Sequence, residues 1–172
     1  MDYINIKTPA QLYEFMRENI KYGFYSTYDN KTHTRVDMND DELYEKLLFT
    51  SYSLQTPEEL LNTKFGICYD QVELERKWFE DNGYKVYTYY TPFHNHCFLV
   101  FVDENGYNWF ERTIKEYNGI HTEKTKEKLL EYYKNIQLAN IDVKNMKFYE
   151  YDNVKFHCNF DEFINNVKNN NS

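Results

Sequence analysis

The sequence predicts an α+β fold in which helices precede and include a cysteine-bearing central helix, and this helix packs on an antiparallel sheet. Two observations lead to this prediction. Apolar residues recur at helical spacing through the first half of the chain, and the period changes to two between residues 85 and 113. A chain of 172 residues is long enough for one core, so we expect a single domain over 1–168 and a disordered tail over 169–172.

Helical spacing predicts four helices in the first half of the chain, at 8–21, 41–50, 56–61 and 69–81. Thr8-Pro9 and Thr56-Pro57 each offer an N-cap followed by proline at the first helical position, and Glu59 completes a capping box. Asn39-Asp40-Asp41 caps the second helix. The central helix ends at Asn82-Gly83, a typical C-terminal signal.

Alternating residues after the central helix predict strands at 85–90, 96–102, 107–113 and, later in the chain, 146–151. Glu104-Asn105-Gly106 is a short glycine-containing connection, so the second and third strands should form a hairpin whose paired residue numbers sum to about 208 to 210. Two further helices are expected at 123–136 and 161–167. Residues 22–35 are predicted to be extended chain and loop.

Composition excludes several classes of protein. A net charge of −8 disfavours binding to nucleic acid, which needs clustered Lys and Arg. Three cysteines without paired spacing argue against a disulfide framework and for a reducing compartment, and the absence of paired Cys or His ligands argues against a metal site. With no signal peptide and no apolar run of about 18 residues, we expect a cytoplasmic protein that does not enter a membrane.

Cys68 is the candidate nucleophile, because it lies between a glycine turn and the start of the central helix. A helix N-terminus points unpaired N–H groups and the positive end of its dipole at a thiolate, and so stabilises it. Gly66 would give the chain a sharp entry into the helix. A lone cysteine is more often a small buried residue, which is the role we predict for Cys97 and Cys158. The assignment of Cys68 therefore depends on residues downstream.

His96 and Glu111 are the candidate partners of Cys68. His96 begins the second strand of the hairpin region, and the expected register places it opposite residues 112–114, with Glu111 within a residue or two. A cysteine at a helix start, a histidine at a strand start and a carboxylate on the adjoining strand form a nucleophile, a base and a group that orients the base.

Alternatives remain for these partners. His94 lies two residues before His96 and would become the base if the register slipped by that amount. Glu111 could instead pair with Arg112 or a lysine. His121 could line the cleft or cap the helix that follows it.

Two glutamines are candidates for stabilising an oxyanion. The backbone N–H of Cys68 is one natural donor at the helix start, and Gln55 is the candidate second donor because its loop leads into the cysteine segment, with Gln71 the next choice. Asp70 lies in the first turn of the helix, where a carboxylate favours the dipole, so helix capping is its expected role.

Three blocks of this sequence resemble the signature blocks of the transglutaminase-like superfamily of cysteine enzymes: Gly66-Ile67-Cys68-Tyr69-Asp70, His96-Cys97-Phe98 and Trp109-Phe110-Glu111-Arg112-Thr113. The resemblance covers about residues 55 to 121. It is strongest to a small bacterial or mobile-element group, through Gln55–Glu59, Asp70–Arg76 and Gly119–His121. It implies a papain-like fold with Cys68 as nucleophile, His96 as general base and acid, and Glu111 as the orienting carboxylate. Glu111 departs from the usual Asp and is displaced by one residue in its block.

The resemblance implies acyl transfer from an amide of a protein or peptide through a thioester, without a cofactor. The acyl group would pass to water in a peptidase, amidase or deamidase, or to an amine in a transglutaminase; hydrolysis is the default because water is abundant. The alternative is a non-catalytic binding or immunity-type module on the same scaffold. An arylamine acetyltransferase is less favoured, because no phosphate-binding glycine loop or basic cluster is visible. The sequence makes no prediction of oligomeric state.

Overall fold

A computed structural model of the chain describes residues 2–38, 40–137 and 146–169. Its α-helices within these residues are α1 (Pro9–Asn19), α2 (Arg35–Met38), α3 (Asp41–Ser51), α4 (Pro57–Thr63), α5 (Cys68–Asp81), α6 (Lys126–Gln137) and α7 (Phe160–Asn169). The strands are β1 (Lys21–Tyr22), β2 (Phe24–Ser26), β3 (Lys31–His33), β4 (Phe65–Gly66), β5 (Lys85–Thr91), β6 (His96–Asp103), β7 (Gly106–Glu111), β8 (Gly119–Glu123) and β9 (Tyr149–Tyr151). The predicted α+β class is confirmed.

The helices begin at the caps that the sequence contains. Thr8 caps α1, and Asp40 caps α3 by accepting a hydrogen bond from the backbone N–H of Leu43. Asn39, the other residue proposed for that cap, lies outside the described residues. Thr56 and Glu59 form both bonds of the capping box on α4. Because these caps satisfy backbone groups that a helix leaves unpaired, they fix where α1, α3 and α4 start.

The main sheet has five antiparallel strands in the order β8-β7-β6-β5-β9. In the β6–β7 hairpin Leu99 pairs with Phe110 and Val100 with Trp109, so the paired numbers sum to 209, as predicted. This register brings the start of β6, which carries His96, near the end of β7, which carries Glu111.

Each face of the sheet has its own apolar core. Alternate residues of β6 divide between them: Cys97, Leu99 and Phe101 lie in a core shared with α5, and Phe98 and Val100 lie in a second core shared with α6. In the first core the ring of Phe79 stacks on Phe101 with centroids 4.3 Å apart, and in the second Phe98 stacks on Tyr133 at 4.4 Å. The central helix is thereby packed on the strands that supply the histidine and the glutamate.

The structure differs from the prediction in the short strands. Residues 22–35 contain the β2–β3 hairpin and the start of α2, and β1 pairs in parallel with β4. Residues 119–123 form β8, so α6 begins at Lys126 rather than at Glu123. The late strand is shorter than expected, and it adds to the sheet only at Tyr149–Tyr151. Of the predicted disordered tail, Asn169 ends α7 and residues 170–172 lie outside the described residues.

No helix in the described part of the chain combines the length and the apolar character that crossing a bilayer requires.

Candidate active site

Cys68 is the first residue of α5, and its side chain is buried with 4% of the residue exposed. The approach to the helix is held by the parallel β1–β4 bridge, in which Lys21 N–H donates to Lys64 O at 2.8 Å and Gly23 N–H to Gly66 O at 3.4 Å. As the first helical residue, Cys68 has no acceptor for its own N–H within the helix. Its thiol and its backbone N–H therefore lie together at the positive end of the helix dipole.

Asp70 forms hydrogen bonds that link neighbouring parts of the chain to the start of α5. Its fully buried carboxylate accepts hydrogen bonds from the backbone N–H of Ile67 at 2.9 Å, the backbone N–H of Gln55 at 3.0 Å and the hydroxyl of Tyr52 at 3.0 Å. Burial raises the pKa of Asp70 to about 7, although the three hydrogen bonds act to lower it. These contacts agree with the expected capping role and fix the loop that presents Cys68.

His96 connects the other two candidate groups. Its Nε2 lies 3.0 Å from Oε2 of Glu111, and its ring lines the same cavity as Cys68, whose thiol acts to raise the pKa of His96. Burial opposes the charged ring, but the charge of Glu111 and the thiol of Cys68 outweigh it, so that the pKa of His96 is raised. With Nε2 occupied by Glu111, Nδ1 is the ring nitrogen left for the thiol. The Cys68 Sγ also lies 3.9 Å from the carbonyl of Asn95, directly before His96.

Both carboxylate oxygens of Glu111 take part in hydrogen bonds. Besides the bond to His96, its Oε1 accepts from the backbone N–H of Thr113 at 2.7 Å, the Thr113 hydroxyl at 3.0 Å and the backbone N–H of Ile114 at 2.9 Å. Only 1% of the residue is exposed. Burial alone would raise the pKa of Glu111, but the charge of His96 and these donors lower it. An ionised carboxylate in this position fixes the imidazole tautomer and favours the charged ring.

The geometry separates the alternatives for these partners. Glu111 pairs with His96, whereas the guanidinium of Arg112 turns to the carbonyl of Met16 at 3.1 Å. His94 lies in the turn before β6, with a φ of 57°. The histidine that contacts Glu111 is His96. His121 lies in β8, where its Nε2 is 2.6 Å from the carbonyl of Tyr117 and its ring packs on Trp109 of β7.

The two glutamines make backbone contacts. Gln55 Nε2 donates to Phe65 O at 2.8 Å, and its Oε1 accepts from the Thr63 hydroxyl at 2.7 Å. Gln71 Nε2 donates to Gly66 O at 2.8 Å. Each side chain therefore braces the loop around β4, and the role of Gln55 as an oxyanion donor stays a prediction.

Cys68 lies between two cavities. The larger, of about 550 Å³, is bordered on its far side by Thr113–Tyr117. The smaller, of about 220 Å³, extends toward α3 and α7. Tyr22, Cys68 and His94 line both cavities, so an extended ligand crossing from one to the other would pass over the thiol.

Sequence reasoning missed two residues of this site. The β1–β4 pairing places Tyr22 opposite Gly66, and Tyr22 lines both cavities together with Cys68. Glu75 is buried on the face of α5 that carries Cys68, two helical turns on, and its Oε2 lacks a hydrogen-bond partner among the described residues. Burial, followed by the charge of Glu111, raises the pKa of Glu75. The spacing of seven residues between Cys68 and Glu75 could have indicated that both lie on one face of the helix. The sequence contains no comparable indication for Tyr22.

The candidate site is not extended by the other two thiols or by a cluster of metal ligands among the described residues. All three cysteines are free and buried, and Cys97 and Cys158 belong to the apolar core. Within the described ranges, no set of three or more His, Cys, Asp or Glu side chains could hold a metal ion.

A family model described as a transglutaminase-like domain matches residues 4–149. The matched segment contains Cys68, His96 and Glu111 together with every strand of the main sheet except the end of β9. No curated protein matches the chain.

Proposed function

Because the chain belongs to the transglutaminase-like domain family, as its three sequence blocks predicted, we propose that it is a cysteine-dependent acyl-transfer enzyme that acts on an amide. One observation carries the proposal: His96 places Nε2 3.0 Å from Oε2 of Glu111 and lines the same cavity as Cys68. This order of groups, nucleophile, base and carboxylate, is the one that acyl transfer through a cysteine requires.

The first half-reaction forms a thioester. The raised pKa of His96 favours an imidazolium, and the attacking form of Cys68 is the thiolate. A sulfur lone pair forms the bond to the carbonyl carbon, and the electrons of the C=O double bond move to oxygen. When this intermediate collapses, the carbon–nitrogen bond breaks and His96 donates its proton to the leaving amine.

The second half-reaction regenerates the thiol. Neutral His96 takes a proton from water or from an amine, and the oxygen or nitrogen attacks the thioester carbon. The carbon–sulfur bond then breaks, and sulfur leaves as the thiolate beside the imidazolium. We propose hydrolysis of a protein or peptide amide as the default. Water can accept the acyl group without a dedicated binding site, whereas an amine acceptor would need one.

The oxyanion of each intermediate needs donors beside Cys68. The backbone N–H of Cys68 is the first, since it has no helical acceptor. For the second donor, the Tyr22 hydroxyl is better supported than Gln55, because Tyr22 lines both cavities at the thiol while the amide of Gln55 is bound to Phe65 and Thr63.

Labelling of the three cysteines tests the proposal without a known substrate. Cys97 and Cys158 are less exposed than Cys68 and line neither of its cavities, so they give the reactivity of core thiols, and His96→Ala is the control that separates activation of Cys68 from access. With iodoacetamide at neutral pH, followed by mass spectrometry of each cysteine peptide, we expect Cys68 to react at least about tenfold faster than either. His96→Ala should remove most of this difference. Equal rates in the native protein would contradict the proposal and favour the non-catalytic binding module.

The acyl acceptor is a separate question. Incubation of dimethylated casein with the protein should be followed by release of ammonia, by new peptide N-termini and by uptake of a fluorescent amine, with Cys68→Ser as the control. Ammonia without amine uptake reports deamidation, ammonia with amine uptake reports amine transfer, and new N-termini report peptide cleavage.

A further inference from the structure

The smaller cavity beside Cys68 has a mixed lining, in which Arg35, Glu45, His94 and Asn95 are the polar residues. Its lining includes five apolar side chains from α3, α7 and the start of α5: Tyr44, Leu48, Phe49, Ile67 and Phe160. The larger cavity is bordered instead by Thr113, Lys115, Glu116 and Tyr117, with Ile114 between them. A substrate that crosses Cys68 would therefore meet aromatic side chains of α3 and α7 on one side of the thiol and residues 113–117 on the other.

The aromatic walls are held in place by the core. Tyr44 and Phe160 are 1% and 5% exposed, while Phe49 is 48% exposed and meets Phe160 edge to face with ring centroids 4.8 Å apart. A cavity of roughly 150 Å³ with apolar walls is large enough for benzene. The volume of about 220 Å³ is therefore sufficient for a phenyl ring.

One cation and two carboxylates form an ion-pair cluster at this cavity, with an excess of negative charge. The guanidinium of Arg35 lies over the ring of Tyr44 at 5.1 Å and pairs with Glu45 at 3.5 Å and Asp41 at 3.3 Å. A charged ligand would have to compete with these ion pairs, whereas a neutral ring would contact the apolar walls and leave the pairs intact.

We infer that this cavity is a subsite for an aromatic side chain of the amide substrate, next to the bond that Cys68 attacks. The inference rests on the proposed function and adds the class of substrate. It assigns Phe49 and Tyr44 to substrate selection, since both line the pocket and neither contacts the His96–Glu111 pair.

The experiment compares two alkylating probes on the full chain. Iodoacetamide and N-phenethyl-iodoacetamide both form one carbon–sulfur bond and release iodide, but only the second carries a ring. The rate of the second divided by the rate of the first, measured for Cys68 and for free glutathione, isolates binding of the ring. We expect the ratio for Cys68 to exceed that for glutathione by roughly tenfold, because the ring leaves water for an apolar pocket.

Phe49→Ala should bring this ratio close to that of glutathione. Two variants are controls that should keep the ratio: Leu43→Ala, which removes a 44% exposed side chain of the same helix outside the cavity, and Lys115→Ala, in the larger cavity. If Phe49→Ala proves unfolded by its thermal transition, Phe49→Leu replaces it, and its ratio should also fall.

Three results would overturn the inference: a wild-type ratio equal to that of glutathione, a ratio unchanged by either Phe49 variant, or a ratio lost in Lys115→Ala. The rate with iodoacetamide alone tests the activated thiolate of the proposed function. Because the ratio cancels that reactivity, failure of the subsite and failure of the proposed function give different results.

Discussion

At the scale of single residues, the site depends on the His96–Glu111 pair. Glu111 is one methylene longer than the usual Asp and stands one residue earlier than the family pattern, yet its Oε2 reaches His96 at 3.0 Å. Its Oε1 is meanwhile held by three donors from Thr113 and Ile114, the chain directly after β7. The turn after the strand therefore fixes the longer side chain in the position that contacts the histidine.

Glu111→Gln tests the electrostatic role of the carboxylate. The negative charge of Glu111 acts against burial to raise the pKa of His96, so its removal should lower the pKa of His96. In the wild-type protein we expect the ring to remain protonated at pH values where an ordinary histidine, with a pKa of about 6.5, is neutral. A titration of the imidazole signals by NMR measures both values, and the other four histidines of the chain are internal references.

The same pair makes the stability of the fold depend on pH, and the direction of this dependence follows from the pKa of His96. Because the pKa of His96 is raised in the folded state, its stabilising contribution is complete below about pH 6.5 and is lost as pH rises through the raised pKa. Glu111→Gln should reduce this pH dependence, because Glu111 is the largest of the groups that raise the pKa of His96. An unchanged His96 titration in Glu111→Gln would show that the carboxylate does not govern the charge of the ring.

Part of this site was predictable from the sequence. The hairpin register follows from the length of a glycine-containing turn, and the hydrogen bond between His96 and Glu111 follows from that register. Tyr22 was not predictable, because a two-residue parallel bridge to β4 brings it to Cys68 and the two strands are far apart in sequence. Local periodicity carries no information on such a contact.

At the scale of secondary structure elements, the start of α5 is shaped by a close approach at Gly66. A Cβ atom at this position would lie 2.6 Å from Cδ1 of Leu60 and 2.9 Å from Cβ of Asp70. Leu60 is fully buried, and Asp70 is held by three hydrogen bonds, so neither can move without loss of contacts. Glycine is needed here because α4 and the first turn of α5 approach too closely for a side chain.

Gly66→Ala should therefore lower both stability and thiol reactivity. We expect the free energy of unfolding to fall by about 1 to 3 kcal/mol, the usual cost of overpacking a buried position, and the iodoacetamide rate of Cys68 to fall with it. Urea denaturation and the labelling assay measure the two effects.

Gly83→Ala is the matched control for this change. Gly83 has a φ of 80° but no atom within 4 Å of an added Cβ, so the variant should lose stability through backbone strain and keep the reactivity of Cys68. Wild-type stability and reactivity in Gly66→Ala would contradict the close packing at this helix start.

The elements differ in how far the sequence determines them. Helices α1 and α4 were predictable because their caps, Thr8-Pro9 and Thr56-Pro57, are local signals that act within one turn. Strand β8 was missed: it forms by pairing with β7 at the edge of the sheet, and its alternate residues are only partly buried. A short edge strand is specified by its neighbour more than by its own residues.

At the scale of the whole molecule, one sheet carries two cores. The core shared with α5 contains Trp78, and the core on the opposite face, shared with α6, contains Trp109. Strands β6 and β7 contribute to both, since alternate residues of each strand face opposite sides. The same two strands therefore supply side chains both to the core with the Cys68 helix and to the core on the opposite face of the sheet. We expect the two cores to unfold together.

The two tryptophans of the chain allow a direct test of this coupling. In Trp109→Phe the remaining fluorescence reports the core with α5, and in Trp78→Phe it reports the core with α6. Within each variant, the fluorescence midpoint in urea should coincide with the midpoint of far-UV circular dichroism, because both cores are built on strands β6 and β7 and neither can unfold without them. Comparison within each variant removes the cost of the substitution itself. A fluorescence midpoint separate from that of circular dichroism in either variant would show that the chain contains two independently stable units, and the single-domain prediction would then be wrong.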